Sequence, residues 1–85
     1  MYYVYVLQNT KDDLYYGCTN DLRRRLSEHT KGRSTATRGE QWNLVYYEAY
    51  KSESDARRRE GQIKLHGRAK RWLKDRIRDS LQDQS

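Results

Sequence analysis

The chain has 85 residues and a formal net charge of +6, and hydrophobic residues make up only 34% of it. This length allows one domain with a small core, which we place at residues 1–81, with a frayed polar tail at residues 82–85. Cys18 is the only cysteine, which excludes an intrachain disulfide and a cysteine-based zinc site. No apolar run reaches the roughly 18–20 residues of a membrane span, and the N-terminus carries no signal-peptide pattern. We therefore expect a cytoplasmic monomer without a membrane partner.

The first elements in chain order form a predicted β-hairpin. Residues 2–8 are rich in β-branched and aromatic side chains, residues 9–13 are typical of a turn, and residues 14–18 predict the returning strand. If the turn keeps odd-numbered residues in register, one face of the hairpin carries Tyr3, Tyr5, Tyr15 and Gly17. A slip of one residue would instead put Tyr5 and Tyr15 on opposite faces.

A helix follows, predicted from an N-cap at Asn20 to just before Gly32. The spacing 0, 3, 4 and 7 puts four side chains on one face: Leu22, Arg25, Leu26 and His29. Arg24 and Glu28 are predicted to point away from this face. A charged group on an apolar stripe needs a partner or a function, although Arg25 could also simply extend past the edge of the core.

The segment between this helix and the next strand is polar. Residues 30–41 have no hydrophobic period and predict a long loop. The loop carries two arginines, Arg33 and Arg38. Residues 42–50 predict a third strand, and a second helix opens at Ser52, with Asp55 completing a pattern that resembles a capping box.

The remaining residues predict two helices. The second helix places Ala56, Glu60 and Ile63 on one side and ends near Gly67. The third has an apolar stripe made of Ala69, Trp72, Leu73, Ile77 and Leu81. The predicted order is β-β-α-β-α-α, an α+β fold in which a small, mostly antiparallel three-stranded sheet is flanked by helices.

The positive charge is concentrated in one segment. Residues 1–56 contain eight basic and eight acidic side chains, whereas residues 57–78 contain ten basic and two acidic ones. A basic block of this kind is typical of a protein that binds a polyanion. The competing interpretation, that lysines and arginines only solvate helical faces, is about equally common for such blocks.

Four short elements of the sequence resemble the motifs of the GIY-YIG endonuclease superfamily, in particular its small, single-domain bacterial members. The two strands carry Tyr3-Val4-Tyr5 and Tyr15-Tyr16-Gly17. The helix that follows carries Asn20, Leu22, Arg25 and His29, and the later element carries Ala56, Glu60, Ile63 and Lys64. The resemblance runs from about Tyr2 to Leu73, nearly the whole chain.

This resemblance implies a metal-dependent endonuclease that hydrolyses phosphodiester bonds in DNA, in repair or recombination. Glu60 would bind one divalent cation, Mg²⁺ or Mn²⁺, since a single carboxylate suits an ion that keeps several waters. Arg25 would contact the scissile phosphate. Tyr5 would activate the attacking water, Tyr15 would complete the hydrogen-bond relay, and His29 would assist proton transfer or contact phosphate. We expect these side chains to converge on one shallow, solvent-accessible pocket.

The resemblance and the basic block together imply further substrate contacts. Gly17 would let the backbone or the substrate approach closely. The cationic candidates for substrate binding are Arg33, Arg38, Lys64, Arg68, Lys70 and Arg71. The chain departs from the family pattern where Tyr3 replaces a glycine and where Cys18 replaces a serine, lysine or threonine. It also lacks a late asparagine after Lys64, where His66 is a possible substitute.

Structural interpretations and other functions stand beside this hypothesis. Tyr5 and Tyr15 could be core aromatics, Glu60 could form an intrahelical ion pair, and His29 could be a charge partner at a helix C-terminus. At the level of function, the main alternative is a nucleic-acid-binding module that uses residues 57–78 with little or no catalysis. RNA as the target and a purely structural role are weaker alternatives.

Overall fold

The sheet has three strands in the order β2-β1-β3, and both pairs are antiparallel. The strands and helices are those of a computed structural model, which describes residues 1–31 and 41–82. The elements are β1 (Tyr2–Asn9), β2 (Leu14–Thr19), α1 (Leu22–Thr30), β3 (Trp42–Tyr50), α2 (Glu53–Leu65), α3 (Gly67–Arg76) and α4 (Arg78–Gln82). The predicted α+β fold and its order are confirmed. In the described part of the chain, none of the helices is long and apolar enough to cross a bilayer.

Two stretches with predictions fall outside the described residues. Residues 32–40 contain Arg33 and Arg38, whose role in substrate binding stays a prediction. Residues 83–85 belong to the tail that the sequence predicts to fray, whereas Gln82 is the last residue of α4.

The third predicted helix is divided in two. Ile77 has φ −110° and ψ 22°, which ends α3 one residue before α4 begins. Ile77 is itself buried in the core, and Leu81 packs against that core from α4. Both side chains therefore lie on the core side, as the predicted apolar stripe has them, whereas the interruption of the helix at Ile77 was not predicted.

The hairpin register places the tyrosines as the odd-numbered alternation predicts. Tyr5 lies opposite Gly17, and Leu7 lies opposite Tyr15, so these four side-chain positions share one face of the sheet. The helix α1 lies against this face, where its His29 side chain reaches Tyr5. The opposite face carries the main core, formed with α2, α3 and α4, in which the buried members are Val4, Val6, Tyr16, Ala56, Ile63, Leu73 and Ile77.

The turn that fixes this register is closed by one side chain. The Oδ1 atom of Asn9 accepts hydrogen bonds from the backbone N–H groups of Lys11 at 2.9 Å and Asp13 at 2.8 Å. Asp12 adopts φ 66°, a left-handed conformation that aspartate tolerates better than most residues. A side-chain-closed turn of fixed length leaves the strands little freedom to slip, and it therefore helps to keep Tyr5 opposite Gly17.

The N-cap of α1 differs from the prediction. Asp21, not Asn20, is the cap residue, and its Oδ1 atom accepts a hydrogen bond from the backbone N–H of Arg24 at 3.0 Å. A carboxylate at the cap satisfies a free N–H group and also interacts favourably with the positive end of the helix dipole. Both residues are good cap formers, so the sequence alone does not separate two adjacent candidates.

The start of α2 confirms the predicted cap position but not the predicted capping box. Ser52 is the N-cap residue, yet its side chain makes no capping hydrogen bond. Asp55 instead accepts a hydrogen bond from Arg58 at 3.1 Å. An aspartate is one methylene shorter than the glutamate of a standard capping box, and a nearby guanidinium competes for it.

A polar cluster on the core face of β3 has no counterpart in the sequence predictions. The Glu48 carboxylate accepts two-pronged hydrogen bonds from Arg59, with Nε and Nη2 each 3.0 Å from a carboxylate oxygen. The hydroxyls of Tyr46, at 2.6 Å, and Tyr50 also donate to it. Burial alone would raise the pKa of Glu48, but the hydrogen bonds from Arg59 and the two phenols outweigh it and leave that pKa below its ordinary value.

Replacing Glu48 with alanine is expected to lower the free energy of unfolding by about 2–3 kcal/mol at pH 7. The change leaves Arg59, whose side chain is 25% exposed, without its carboxylate and two phenols without their acceptor. Because the pKa of Glu48 is lowered on folding, its contribution is complete above the ordinary carboxylate pKa and is lost as the pH falls through the folded value. Urea unfolding at pH 7 and pH 3 should therefore show a difference that shrinks in acid.

The matched control is Asp75→Ala, which removes a carboxylate that is 75% exposed and pairs with Arg78. Exposed pairs contribute little to stability, so this variant should unfold with the wild type. Equal stability of Glu48→Ala and Asp75→Ala at pH 7 would contradict the structural importance of the Glu48 cluster.

Candidate active site

Three side chains from β1 and α1 form a hydrogen-bonded chain. The Arg25 Nε–H donates to the Tyr5 hydroxyl oxygen at 3.3 Å, and that hydroxyl lies 3.1 Å from His29 Nε2. Tyr5 is fully buried and His29 is 1% exposed, whereas the Arg25 side chain is 34% exposed. The guanidinium thus connects two buried titratable groups to the surface.

The electrostatics of these three side chains determine which of them donate and which accept hydrogen bonds. Burial raises the pKa of the Tyr5 phenol, and the Arg25 hydrogen bond opposes this without reversing it. Burial also lowers the pKa of His29, and the positive charge of Arg25 lowers it further. At neutral pH the phenol is therefore protonated and the imidazole neutral. Because Arg25 already donates to the phenol oxygen, we assign the phenol O–H as donor to His29 Nε2.

Gly17 makes room for Tyr5. The two residues are paired across β1 and β2, and the Tyr5 ring lies over the Gly17 backbone. A Cβ atom at position 17 would overlap the hydroxyl oxygen of Tyr5 and the ring carbon that bears it. The close approach that the sequence predicts at Gly17 is thus made, in this structure, by a side chain of the same protein.

Aromatic contacts surround the buried pair. The Tyr15 ring lies 5.1 Å from the His29 ring in an edge-to-face arrangement and 6.3 Å from the Tyr5 ring. Trp42, which the sequence analysis did not single out, lies 6.3 Å from Tyr15 in a similar arrangement. These contacts restrict the orientation of the His29 imidazole.

Glu60 approaches from α2, which packs on β1 and β2. Its side chain is 18% exposed, and Oε2 lies 3.0 Å from Lys64 Nζ, so the intrahelical pair offered as a structural interpretation is present. Its negative charge nevertheless acts beyond the helix. After burial, the Glu60 carboxylate is the largest cause that raises the pKa of Cys18, and it contributes to the raised pKa of Tyr5. Glu60 therefore lies within electrostatic reach of the phenol.

A polar cleft of about 340 Å³ opens beside this group, between the N-terminal parts of α1 and α2 at the end of β2. Its lining consists of Tyr2, Cys18, Thr19, Asn20, Arg24, Arg25, Glu28, Glu53 and Arg57. Arg25 lines the cleft, while the fully buried Tyr5 lies behind it. The expected convergence on one solvent-accessible pocket is therefore seen only for Arg25, because the guanidinium and Gly17 cover the phenol.

Two residues of α1 that lie beside the apolar stripe also line the cleft. Arg24 and Glu28 were predicted to point away from that stripe, and both are part of the cleft lining. Glu28 accepts an ion-paired hydrogen bond from Arg25 Nη1 at 3.2 Å. The cleft follows the flank of α1, so long side chains beside the apolar stripe reach it as well.

The basic residues of α3 lie on the other side of the sheet. Lys70 lies over the ring of Tyr16, with 5.4 Å from Nζ to the ring centre, on the face opposite Tyr5. Arg68 stacks near the exposed Trp72 on the same helix, and Arg71 is exposed. The structure thus brings Tyr5, Tyr15, Gly17, Arg25 and His29 together, with Glu60 nearby, but not Arg68, Lys70 or Arg71.

Metal-ligating side chains are sparse around the site. Among residues 1–31 and 41–82, no group of three or more histidine, cysteine, aspartate or glutamate side chains could hold a metal ion. A closed protein cage is therefore not formed by these residues. Glu60, a single partly buried carboxylate, suits an ion that keeps most of its waters and binds substrate oxygens.

The geometry agrees with the comparison to known protein families. Residues 1–74 match the family model described as the GIY-YIG catalytic domain. The chain therefore belongs to the GIY-YIG family and carries a nuclease-type domain, which confirms the resemblance found in its motifs.

Individual relatives are proteins of similar size. The chain is 42% identical over 72 residues to a UPF0213 protein of Natronomonas pharaonis, covering 82% of this chain and 85% of the relative. It is 38% identical over 72 residues to a UPF0213 protein of Haloquadratum walsbyi, covering 82% and 81%. The solution NMR structure of a UPF0213 protein from Bacillus halodurans has a TM-score of 0.55 at 36% identity, covering 86% of this chain and 82% of that one.

Proposed function

We propose that this protein is a divalent-metal-dependent endonuclease that hydrolyses phosphodiester bonds in DNA. The observation that carries the proposal is the hydrogen-bonded chain of Arg25, Tyr5 and His29 beside the Glu60 carboxylate, in a domain of a nuclease family. Repair or recombination of DNA in the cytoplasm is the setting that such an activity implies.

Arg25 binds the scissile phosphate. Its guanidinium lines the cleft, and the hydrogen bond to Tyr5 together with that to Glu28 raises its pKa, so it stays charged at any relevant pH. Phosphate oxygens compete for its N–H groups with stronger, charge-assisted hydrogen bonds. A guanidinium drawn toward phosphate uncovers the Tyr5 hydroxyl, which gives the attacking water access to a phenol that is buried before substrate binds.

Tyr5 and His29 move the proton of the attacking water. Water attacks the phosphorus as it loses a proton to the phenol oxygen, and the phenol proton passes to His29 Nε2 across the 3.1 Å hydrogen bond. The P–O bond to the leaving oxygen then breaks, and that oxygen is protonated from solvent. A neutral imidazole is the better acceptor, which explains the use of a histidine whose pKa lies below its ordinary value. Tyr15 keeps the imidazole aligned through its ring contact.

Glu60 would hold the cation. Bound there, Mg²⁺ or Mn²⁺ would supply Lewis-acid stabilisation of the negative charge on the phosphate oxygens. Lys64, now paired with Glu60 at 3.0 Å, would be freed to contact substrate.

The test is a cleavage assay on supercoiled, linear, branched and single-stranded DNA and on RNA, with Mg²⁺, Mn²⁺ or a chelator. Metal-dependent cleavage of DNA supports the proposal. The complete burial of Tyr5 favours a second candidate, a nucleic-acid-binding module without catalysis. Salt-sensitive binding without cleavage under any metal condition would establish that candidate instead.

Cleavage should depend on pH through His29. The pKa of His29 lies below its ordinary 6.5, so the rate is expected to fall only in acid, as the imidazole becomes protonated and can no longer accept from Tyr5. The free energy of unfolding should change in the same direction. Because folding lowers the pKa of His29, its stabilising contribution is complete above pH 6.5 and is lost as the pH falls through the folded-state pKa. A pH–rate profile of the wild type and His29→Gln checks this: the variant should be about 100-fold slower and lack the acid limb. An unchanged limb in the variant would assign it to another group.

A further inference from the structure

The cleft has two walls built from different helices. Arg24 and Arg25 come from α1, and Arg57 comes from α2, with Cys18 and Thr19 of β2 between them. The three guanidiniums outnumber the two glutamates in the lining, so the cleft carries a formal charge of +1. One wall, at Arg25, is already assigned to the scissile phosphate in the proposed function.

Arg57 has the features of a substrate-binding residue. Its side chain is 66% exposed, so it needs no large rearrangement to meet a ligand. The hydrogen bond to Glu53 raises its pKa, so the guanidinium stays charged. Glu60 lies three residues further along α2, on a neighbouring position of the same helical face. Arg57 is therefore close to the carboxylate that the proposed function assigns to the cation.

On each wall of the cleft, a glutamate of the same helix forms an ion pair with the arginine. Glu28 pairs with Arg25 at 3.2 Å, and Glu53 pairs with Arg57 at 3.1 Å, each from about one turn away on the same helix. Partly or fully exposed pairs of this kind are weak. A phosphodiester can replace the carboxylate at each wall with a charge-assisted hydrogen bond of comparable or better geometry.

We infer that Arg57 binds a second phosphate of the nucleic-acid substrate, so that the cleft holds one backbone between α1 and α2. This inference rests on the proposed function, because it assumes that the scissile phosphate lies at Arg25. It makes Arg57 a substrate-positioning residue that the motifs and the named cationic candidates do not include, although the basic segment 57–78 begins at it. The sequence signal is weak, since Arg57 is one of three consecutive arginines.

The neighbouring arginine supplies a matched control. Arg58 is also 66% exposed and is also paired at 3.1 Å with a carboxylate of its own helix, Asp55. It does not line the cleft. Arg57→Ala and Arg58→Ala therefore remove the same charge, from adjacent residues, with the same loss of an exposed helical pair.

Binding is measured by fluorescence anisotropy with a labelled oligonucleotide, in the Glu60→Ala background and without metal, at several salt concentrations. Arg57→Ala should weaken binding about tenfold and reduce the slope of log K against log salt by about 0.7 to 0.9. Arg58→Ala should change neither by a comparable amount. Glu53→Gln, which frees Arg57, should tighten binding more than Asp55→Asn, and circular dichroism should show all four variants folded.

The outcomes separate the inference from the proposed function. If Arg57→Ala and Arg58→Ala weakened binding equally, only the overall charge of α2 would matter. That result would overturn the inference and leave the proposed function standing. A parent protein that neither binds nor cleaves any nucleic acid would remove the proposed function, and the inference with it.

Discussion

Replacement of Glu60 with glutamine is expected to reduce metal-dependent cleavage by at least about a hundredfold, while the fold and DNA binding persist. Glutamine has nearly the same shape but lacks the charge that holds a divalent cation. Glu60 is the acidic side chain of α2 that lies within electrostatic reach of Tyr5, and it pairs with Lys64. Loss of one partly exposed helical pair should cost little stability.

The measurement is the rate of nicking at saturating DNA across a range of Mg²⁺ and Mn²⁺ concentrations. Asp55→Asn is the control, because it removes a carboxylate of the same helix that pairs with Arg58 on the exposed surface. Partial recovery of Glu60→Gln at high metal concentration would agree with weakened cation binding. A wild-type rate for Glu60→Gln at low metal concentration would rule out the proposed role of Glu60.

Gly17→Ala is expected to reduce cleavage as much as Glu60→Gln does. The cause here is the displacement of a side chain and not the loss of a charge. The added methyl group would overlap the Tyr5 hydroxyl oxygen and its ring carbon, so the ring must move. Overpacking of a buried site costs about 1–3 kcal/mol of stability. A displacement of about 1 Å at a catalytic group can reduce the rate about 100-fold. We therefore expect both a lower free energy of unfolding and a loss of cleavage.

Gly61→Ala provides the opposite expectation. Gly61 lies within α2, and a Cβ atom there meets no other atom within 4 Å. Alanine in a helix interior is more favourable than glycine by about 1 kcal/mol, so this variant should be more stable and fully active. Urea unfolding and cleavage rates of the two variants give a direct comparison. If Gly17→Ala behaved like Gly61→Ala, Tyr5 would not depend on the absence of a side chain at position 17.

Local patterns were sufficient to locate the strands and most helix bounds, but they left two hairpin registers open, and the structure decides between them. Alternating aromatic and β-branched residues identified β1 and β2, and the turn between them set the pairing that puts Tyr5 opposite Gly17. Local patterns failed where two solutions have similar local energies. Asn20 and Asp21 are both good cap residues, and the apolar stripe of the last helix does not show the break at Ile77.

Interactions between distant residues could not be predicted in the same way. The Glu48 carboxylate meets Arg59 only because β3 and α2 pack against the same region of the core, and neither residue is distinctive in the sequence. The basic segment illustrates the same limit. Its charge is evident from composition, but only the packing of α3 shows that Lys70 and its neighbours lie on the sheet face opposite Tyr5.

The sequence alone indicated the α+β fold, because the spacing of residues within strands and helices is fixed by backbone geometry. The resemblance of its motifs to a known family indicated the family and the side chains around Tyr5. The tertiary structure decided how those side chains meet: which group accepts the Tyr5 proton, that Gly17 leaves space for the phenol, and that a cleft joins Arg25 to Arg57. These contacts depend on the relative placement of separate elements, which is set by the packing of the whole core and not by any local pattern.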